Sequence, residues 1–129
     1  MSKPEDTIAL LLKKNKIPFE REKTFTDLRK NKYRFDFYLP NYKGKETLLE
    51  YDGEEHFYFI KYFHKNLQNF KAAKERDRIK NSFSLARGIP LYRIPYFEFK
   101  NIEKVEDLFN KNFLVKSKFH TDNLITSKR

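Results

Sequence analysis

Ile8, Leu11 and Leu12 recur at helical spacing and predict the buried face of a helix ending near Asn15. Ser2-x-x-Glu5 ahead of them reads as a capping box, with Pro4 in the first turn. The period then falls to two. "PFEREKTF" (18–25) predicts a strand with Phe19, Arg21, Lys23 and Phe25 on one side. "YRFDFYL" predicts a second, with Phe35, Phe37 and Leu39 on one face and Arg34, Asp36 and Tyr38 on the other. "PNYKGKE" is a turn, and "TLLEYD" a third strand stopped by Gly53. The aromatic run "HFYFIKYF" fits a strand or a loop. A long helix is expected from about Asn66, with Ala72, Ile79, Phe83 and Ala86 at helical spacing and Gly88 as its C-cap. "IPLYRIPY" gives a fourth strand, and "KVEDLFNKNF" a short terminal helix. The order αβββαβα predicts an α/β fold with a mixed central sheet flanked by helices. One domain is expected over residues 1–113, followed by a basic, flexible tail over 114–129.

Composition narrows the class. The 129 residues suit one core, for which 14 Phe and 8 Tyr supply much of the bulk. With no cysteine, neither disulfides nor a thiolate zinc site can hold the fold together. No apolar run approaches the ~20 residues that span a bilayer, and the first residues lack the apolar centre of a signal peptide. An intracellular, cytoplasmic protein of a bacterial or phage-infected cell is therefore expected, with no membrane partner. The net charge of +10 suits a polyanion, most often nucleic acid.

The distribution of charge is more telling than its sum. Lys13 to Arg34 holds nine basic residues against three acidic ones, and Lys61 to Lys80 seven against two. Between them, Glu46 to Glu55 holds five carboxylates and no Lys or Arg. An acidic island between basic shores is what a metal-dependent phosphodiesterase requires. The shores would neutralise phosphates, with Arg29, Lys30, Lys32 and Arg34 on one side and Lys71, Lys74 and Arg78 on the other. The island would hold a divalent cation against the phosphate being cut.

Asp36 is the hardest acid to explain structurally, because an Asp between two Phe on a central strand is disfavoured by propensity and by burial. If its strand pairs with that of Glu50 so that both acids share a face, their oxygens suit a hard cation. His56 has a pKa near neutrality and can take a proton from water or give one to a leaving oxygen. Asp77 could orient that imidazole through its other nitrogen. Asp52, before Gly53, reads first as a turn residue, and Glu5 as the partner of Ser2 in the capping box.

These residues, carried on "RFDFYLP", "LLEYDGEEHF" and "ERDRIKNSFSLARGIPLYRIPY", resemble the PD-(D/E)xK restriction-endonuclease-like nucleases. The branch of very-short-patch repair and EDxHD homing endonucleases is the nearer likeness, over roughly Pro4 to Tyr96. The resemblance implies a restriction-endonuclease-like αβββαβ core and a Mg²⁺-dependent endodeoxyribonuclease, with Mn²⁺ able to substitute. It implies that Asp36, Glu50 and the backbone carbonyl of Tyr51 hold the ion, and that Glu5 completes the site or binds a second ion. His56 and Asp77 match the H and final D of the pattern. Asp52 occupies the place of the usual lysine, so Lys80 is the candidate replacement cation. The repair enzyme's cysteine-bearing zinc site has no counterpart, and no zinc is expected. Expected partners are DNA, branched or mismatched forms included and RNA not excluded, together with a second copy of the chain or a targeting protein. The rival expectation is a catalytically silent nuclease-fold module that binds DNA or RNA, or a subunit active only with a partner.

Overall fold

A computed structural model describes residues 3–122. Helix α1 (Lys3–Lys14) leads into strands β1 (Glu20–Thr24), β2 (Arg34–Tyr42) and β3 (Lys45–Asp52). A short helix α2 (Lys61–His64) precedes the long helix α3 (Leu67–Arg87), which returns the chain to strand β4 (Leu91–Pro95). The strands lie in the order β1-β2-β3-β4 in one sheet. The first three are antiparallel, and β4 runs parallel to β3 through the α3 crossover, so the sheet is mixed and the fold is α/β. Ser2 lies outside the described residues, so the capping box rests on the sequence alone. Among the described residues, no helix is long and apolar enough to cross a membrane.

Two apolar clusters cover the two faces of the sheet. Ile8, Ala9 and Leu12 of α1 pack with Phe37, Leu39, Leu49 and Ile94. On the other face Leu48 and Leu91 meet Phe35, with Ile79 and Phe83 of α3 against them. Phe35 therefore does not share a face with Phe37 and Leu39, as strict alternation predicts. Phe19 and Phe25 are parted in the same way: Phe19 packs on Phe37 at 5.7 Å between ring centres, and Phe25 on Phe83 at 5.0 Å. Both reversals have one cause. In the β1–β2 ladder Arg21 faces Phe37 and Lys23 faces Phe35, while the pair between them, Glu22 and Asp36, is missing. Glu22 has φ +56°, a local inversion that swaps the faces on either side without any slip of register.

Helix α3 begins and ends where expected. The Asn66 side chain accepts the Asn69 N–H at 2.8 Å, and Gly88 closes the helix in the left-handed conformation at φ +69°. Its buried face differs from the expected one. Ala72 and Ala86 are exposed, and the buried stripe is polar: Lys74, Asp77, Lys80, Asn81 and Ser84. A search for apolar periodicity passes over such a stripe, because the groups beneath it are themselves charged. The terminal helix resolves into two 3₁₀ turns, Val105–Phe109 and Lys111–Phe113, because Asn110 between them has an extended ψ of 134°.

The expected loose tail does not begin at 114. Val115 N–H donates to the Leu91 carbonyl at 2.9 Å, and Asn81 Nδ2 donates to the Lys118 carbonyl at 3.1 Å. Asp122 pairs with Lys74 at 3.1 Å and Arg78 at 2.9 Å. The rest of that tail lies outside the described residues.

Candidate active site

Strands β2 and β3 pair as far as Phe37 opposite Leu49, and then the ladder stops. Side chains replace it. The Asp36 N–H donates to Glu50 Oε2 at 2.6 Å, and the Tyr51 N–H donates to Asp36 Oδ2 at 2.8 Å. Each strand keeps its outer neighbour, β1 or β4, so the sheet opens into a fork whose inner edges are two acids. A cleft of about 500 Å³ opens here, lined by Glu5, Asp36, Glu50, Tyr51, His56 and Lys80 among others. Five of the seven candidate catalytic residues thus meet in one place, brought from α1, β2, β3, the turn after β3, and α3.

The fork is rich in negative charge. Burial first, and the neighbouring Glu50 second, push the Asp36 carboxyl up to about 8. Oxygens of Glu5, Glu22 and Asp36 all lie within 4.8 Å of one another. Glu22 was not among the expected site residues; the missing ladder pair sets it beside Asp36. Glu5 also meets Arg21 at 3.5 Å.

Asp52 and Asp77 do not line the cleft; they lie beneath it. Asp77 Oδ2 is 2.9 Å from His56 Nδ1, and Asp52 Oδ1 is 3.7 Å from the same nitrogen. Burial alone would lower the histidine pKa, but Asp52 and Asp77 outweigh it and raise the ring to about 9. Burial opposes ionisation of Asp77 as well; there Arg93 and His56 prevail and hold the carboxyl well below its usual range. Asp52 goes the other way, because its burial outweighs Arg93 and His56 and raises its carboxyl. Asp52, read from the sequence first as a turn residue, is held instead by a buried cation.

That cation is Arg93, fully buried on β4. It donates to Asp52 at 2.8 Å and to Asn81 Oδ1 at 2.7 Å, and lies 3.6 Å from Asp77 and 3.8 Å from Glu50. The sequence carried its signal: an arginine between Leu91 and Ile94 on a short apolar strand is as anomalous as Asp36 between two Phe. Lys80 reaches the cleft from α3, donates to Glu50 Oε1 at 2.8 Å, and sits 4.9 Å above the Phe35 ring.

The basic shores divide. Arg29, Lys30, Lys32, Arg34 and Lys71 are exposed. Lys74 is not free to meet phosphate: it is buried, donating to the His56 carbonyl at 2.8 Å and pairing with Asp122. Arg78 is likewise engaged, by Asp122 and Glu75. Both positions read as surface charge in a basic run; the burial of α3 on the sheet draws Lys74 inward, whereas Arg78 stays half-exposed.

No family model matches the chain, and no solved structure matches it. It is similar to "Uncharacterized protein 307L" of Invertebrate iridescent virus 6, with 33% identity over 63 residues. That alignment covers 48% of this chain and 32% of the viral protein, so the chain matches about a third of that relative's length.

Proposed function

We propose that this chain is a magnesium-dependent endonuclease, built on a restriction-endonuclease-like core, that hydrolyses phosphodiester bonds in DNA. The observation that carries the reading is the fork between β2 and β3, where Asp36, Glu50, Lys80 and an Asp77-bonded His56 share one cleft. The donors there are hard carboxylate oxygens, and those of Glu5, Glu22 and Asp36 crowd within 4.8 Å of one another, a gathering that a divalent cation would relieve. Asp36, Glu50 and the Tyr51 carbonyl would hold Mg²⁺ or Mn²⁺, with Glu5 and Glu22 completing the site. Such an ion, when bound, polarises a phosphate and lowers the pKa of a water.

The chain's own residues supply the rest. Lys80, fixed by Glu50, sets a positive charge on the cleft wall where negative charge grows on the phosphate. His56, its pKa near 9, is protonated at neutral pH and serves as a proton donor to the leaving oxygen. Asp77 holds the Nδ1 end, which leaves Nε2, 3.7 Å from Glu55 Oε2, as the end that would give the proton. Exposed Arg29, Lys30, Lys32, Arg34 and Lys71 take flanking phosphates. The viral relative supports an infected-cell setting.

One observation favours the silent-module alternative: both Glu50 oxygens already have partners, Lys80 and the Asp36 N–H. Plasmid nicking decides between the two. Cleavage with Mg²⁺ or Mn²⁺, lost in EDTA and in Asp36→Ala, is expected; DNA binding without cleavage under any metal would leave the silent module.

A further inference from the structure

From Phe57 to Lys74 the chain holds four lysines and no carboxylate. This stretch also carries the most exposed aromatic surface of the described residues: Tyr62 is 96% exposed, Phe63 61% and Phe59 41%, with Leu67 at 52% beside them. An exposed apolar patch of this kind marks a contact surface.

The patch is braced from below. His64, 4% exposed, is packed by Phe59 at 5.9 Å, Phe63 at 5.1 Å and Phe70 at 5.0 Å between ring centres. Its Nδ1 accepts the Ile60 N–H at 3.0 Å, and its carbonyl accepts Asn69 Nδ2 at 2.8 Å. Phe59 and Phe63 thus stand on a fixed base and lose little freedom on binding, while Tyr62 projects beside them into solvent. A groove of about 320 Å³ runs between α2 and α3, and its lining includes Phe63, Lys65 and Arg76 and no carboxylate. Neither Lys65 nor Arg76 has a carboxylate partner among the described residues. The segment follows His56 directly, and Lys74 ties the His56 carbonyl to α3, so the rings lie within about 25 Å of His56 along the chain.

We infer that α2 and its flanks are a stacking platform for unpaired DNA bases, with Lys61, Lys65 and Arg76 meeting the adjoining phosphates. Aromatic faces next to unpaired cations match single-stranded nucleic acid, because bases offer ring faces only where they are not stacked in a duplex. An acidic protein would use the cations and leave the rings without a specific partner. The inference rests on the nuclease reading and sharpens it: the substrate presents a flap, gap or single-stranded arm close to the cut.

The test reads binding, not cleavage. Full-length protein in EDTA is titrated against a labelled single strand, a blunt duplex, and that duplex bearing a single-stranded flap with 2-aminopurine in it. The strand and the flap should bind more tightly than the duplex, with 2-aminopurine quenched. Tyr62→Ala with Phe63→Ala should weaken strand and flap binding by about five- to a hundred-fold per stacked base, abolish the quench and spare the duplex. Tyr62→Phe should restore it. Lys61→Ala with Lys65→Ala should flatten the salt dependence on the strand and the flap and leave that on the blunt duplex unchanged. Equal loss on duplex and strand, or DNA binding indifferent to Tyr62 and Phe63, overturns the platform alone. So does a change confined to self-association, measured by sedimentation, which would make the patch an interface between copies. Stacking without metal-dependent cleavage sinks the nuclease reading alone, and failure to bind any of the three DNAs removes both.

Discussion

Arg93→Met keeps the length of the buried side chain and removes only its charge and its fork of donors. Around it lie three carboxylates, Asp52 at 2.8 Å, Asp77 at 3.6 Å and Glu50 at 3.8 Å. Two other cations share them, His56 with Asp77 and Lys80 with Glu50. Three positive charges meet three negative ones in the native protein; the variant leaves two against three. An uncompensated buried charge costs about 3–5 kcal/mol, a large part of the ~5–15 kcal/mol that holds a domain of this size. The melting temperature should fall by roughly 10–20 °C. The loss should also depend on pH. Burial already raises the Asp52 carboxyl, and removing Arg93 raises it further. A carboxyl with a raised folded pKa contributes stability below its unfolded value and loses it as pH climbs. The gap between variant and parent should therefore be widest near pH 8 and narrow toward pH 5. Urea titrations of the metal-free proteins at both pH values measure it, with Arg93→Lys, which keeps the charge, falling between the two. A loss below about 1 kcal/mol, equal at both pH values, would refute the picture of a balanced buried charge cluster.

Other outcomes follow from the same geometry. His56→Ala should slow cleavage by about a hundred- to ten-thousand-fold with DNA and metal binding retained; Asp77→Asn should cost less, and the double variant little more than His56→Ala alone. Multiplicative losses in single-turnover assays would mean that the two act separately. In EDTA near pH 9, Asp36→Asn should stabilise the protein by about 1–3 kcal/mol, because a carboxyl raised to about 8 loses its stabilising proton as pH rises through that value. The same variant should show no further rise in melting temperature with Mg²⁺, whereas the parent should. Lys74→Ala should destabilise by about 1–3 kcal/mol and leave the salt slope of DNA binding unchanged; Lys30→Ala should leave stability alone and reduce that slope by nearly one.

The element order was readable because each segment carries its own punctuation: Gly53 after β3, Asn66 and Gly88 around α3. The gathering of Asp36, Glu50, His56 and Lys80 was readable because charges stand out against apolar strands and recur at helical spacing. Glu22 was not, since its place depends on two strands losing alternation at facing positions, which no single strand announces. Lys74 was misplaced for a related reason. Charge in a basic helix reads as solvated until its partners are known, and here they are the His56 carbonyl and the Asp122 carboxylate. Arg93 carried a visible anomaly, but its three acidic partners come from a neighbouring strand and a helix.

The buried polar stripe of α3 has a consequence for how firmly the helix is indexed. Greasy interfaces tolerate sliding, because one apolar knob fills another's hole at little cost. Here a shift of one turn, about 5.4 Å, would carry Asp77 away from His56 and Arg93, and Lys80 away from Glu50, all at once. The charges act as the teeth of a key: they add little to the grip of the helix on the sheet, yet they admit a single setting. In that setting the proton-handling and metal-facing halves of the cleft are aligned together, by the same side chains that pick out the native packing.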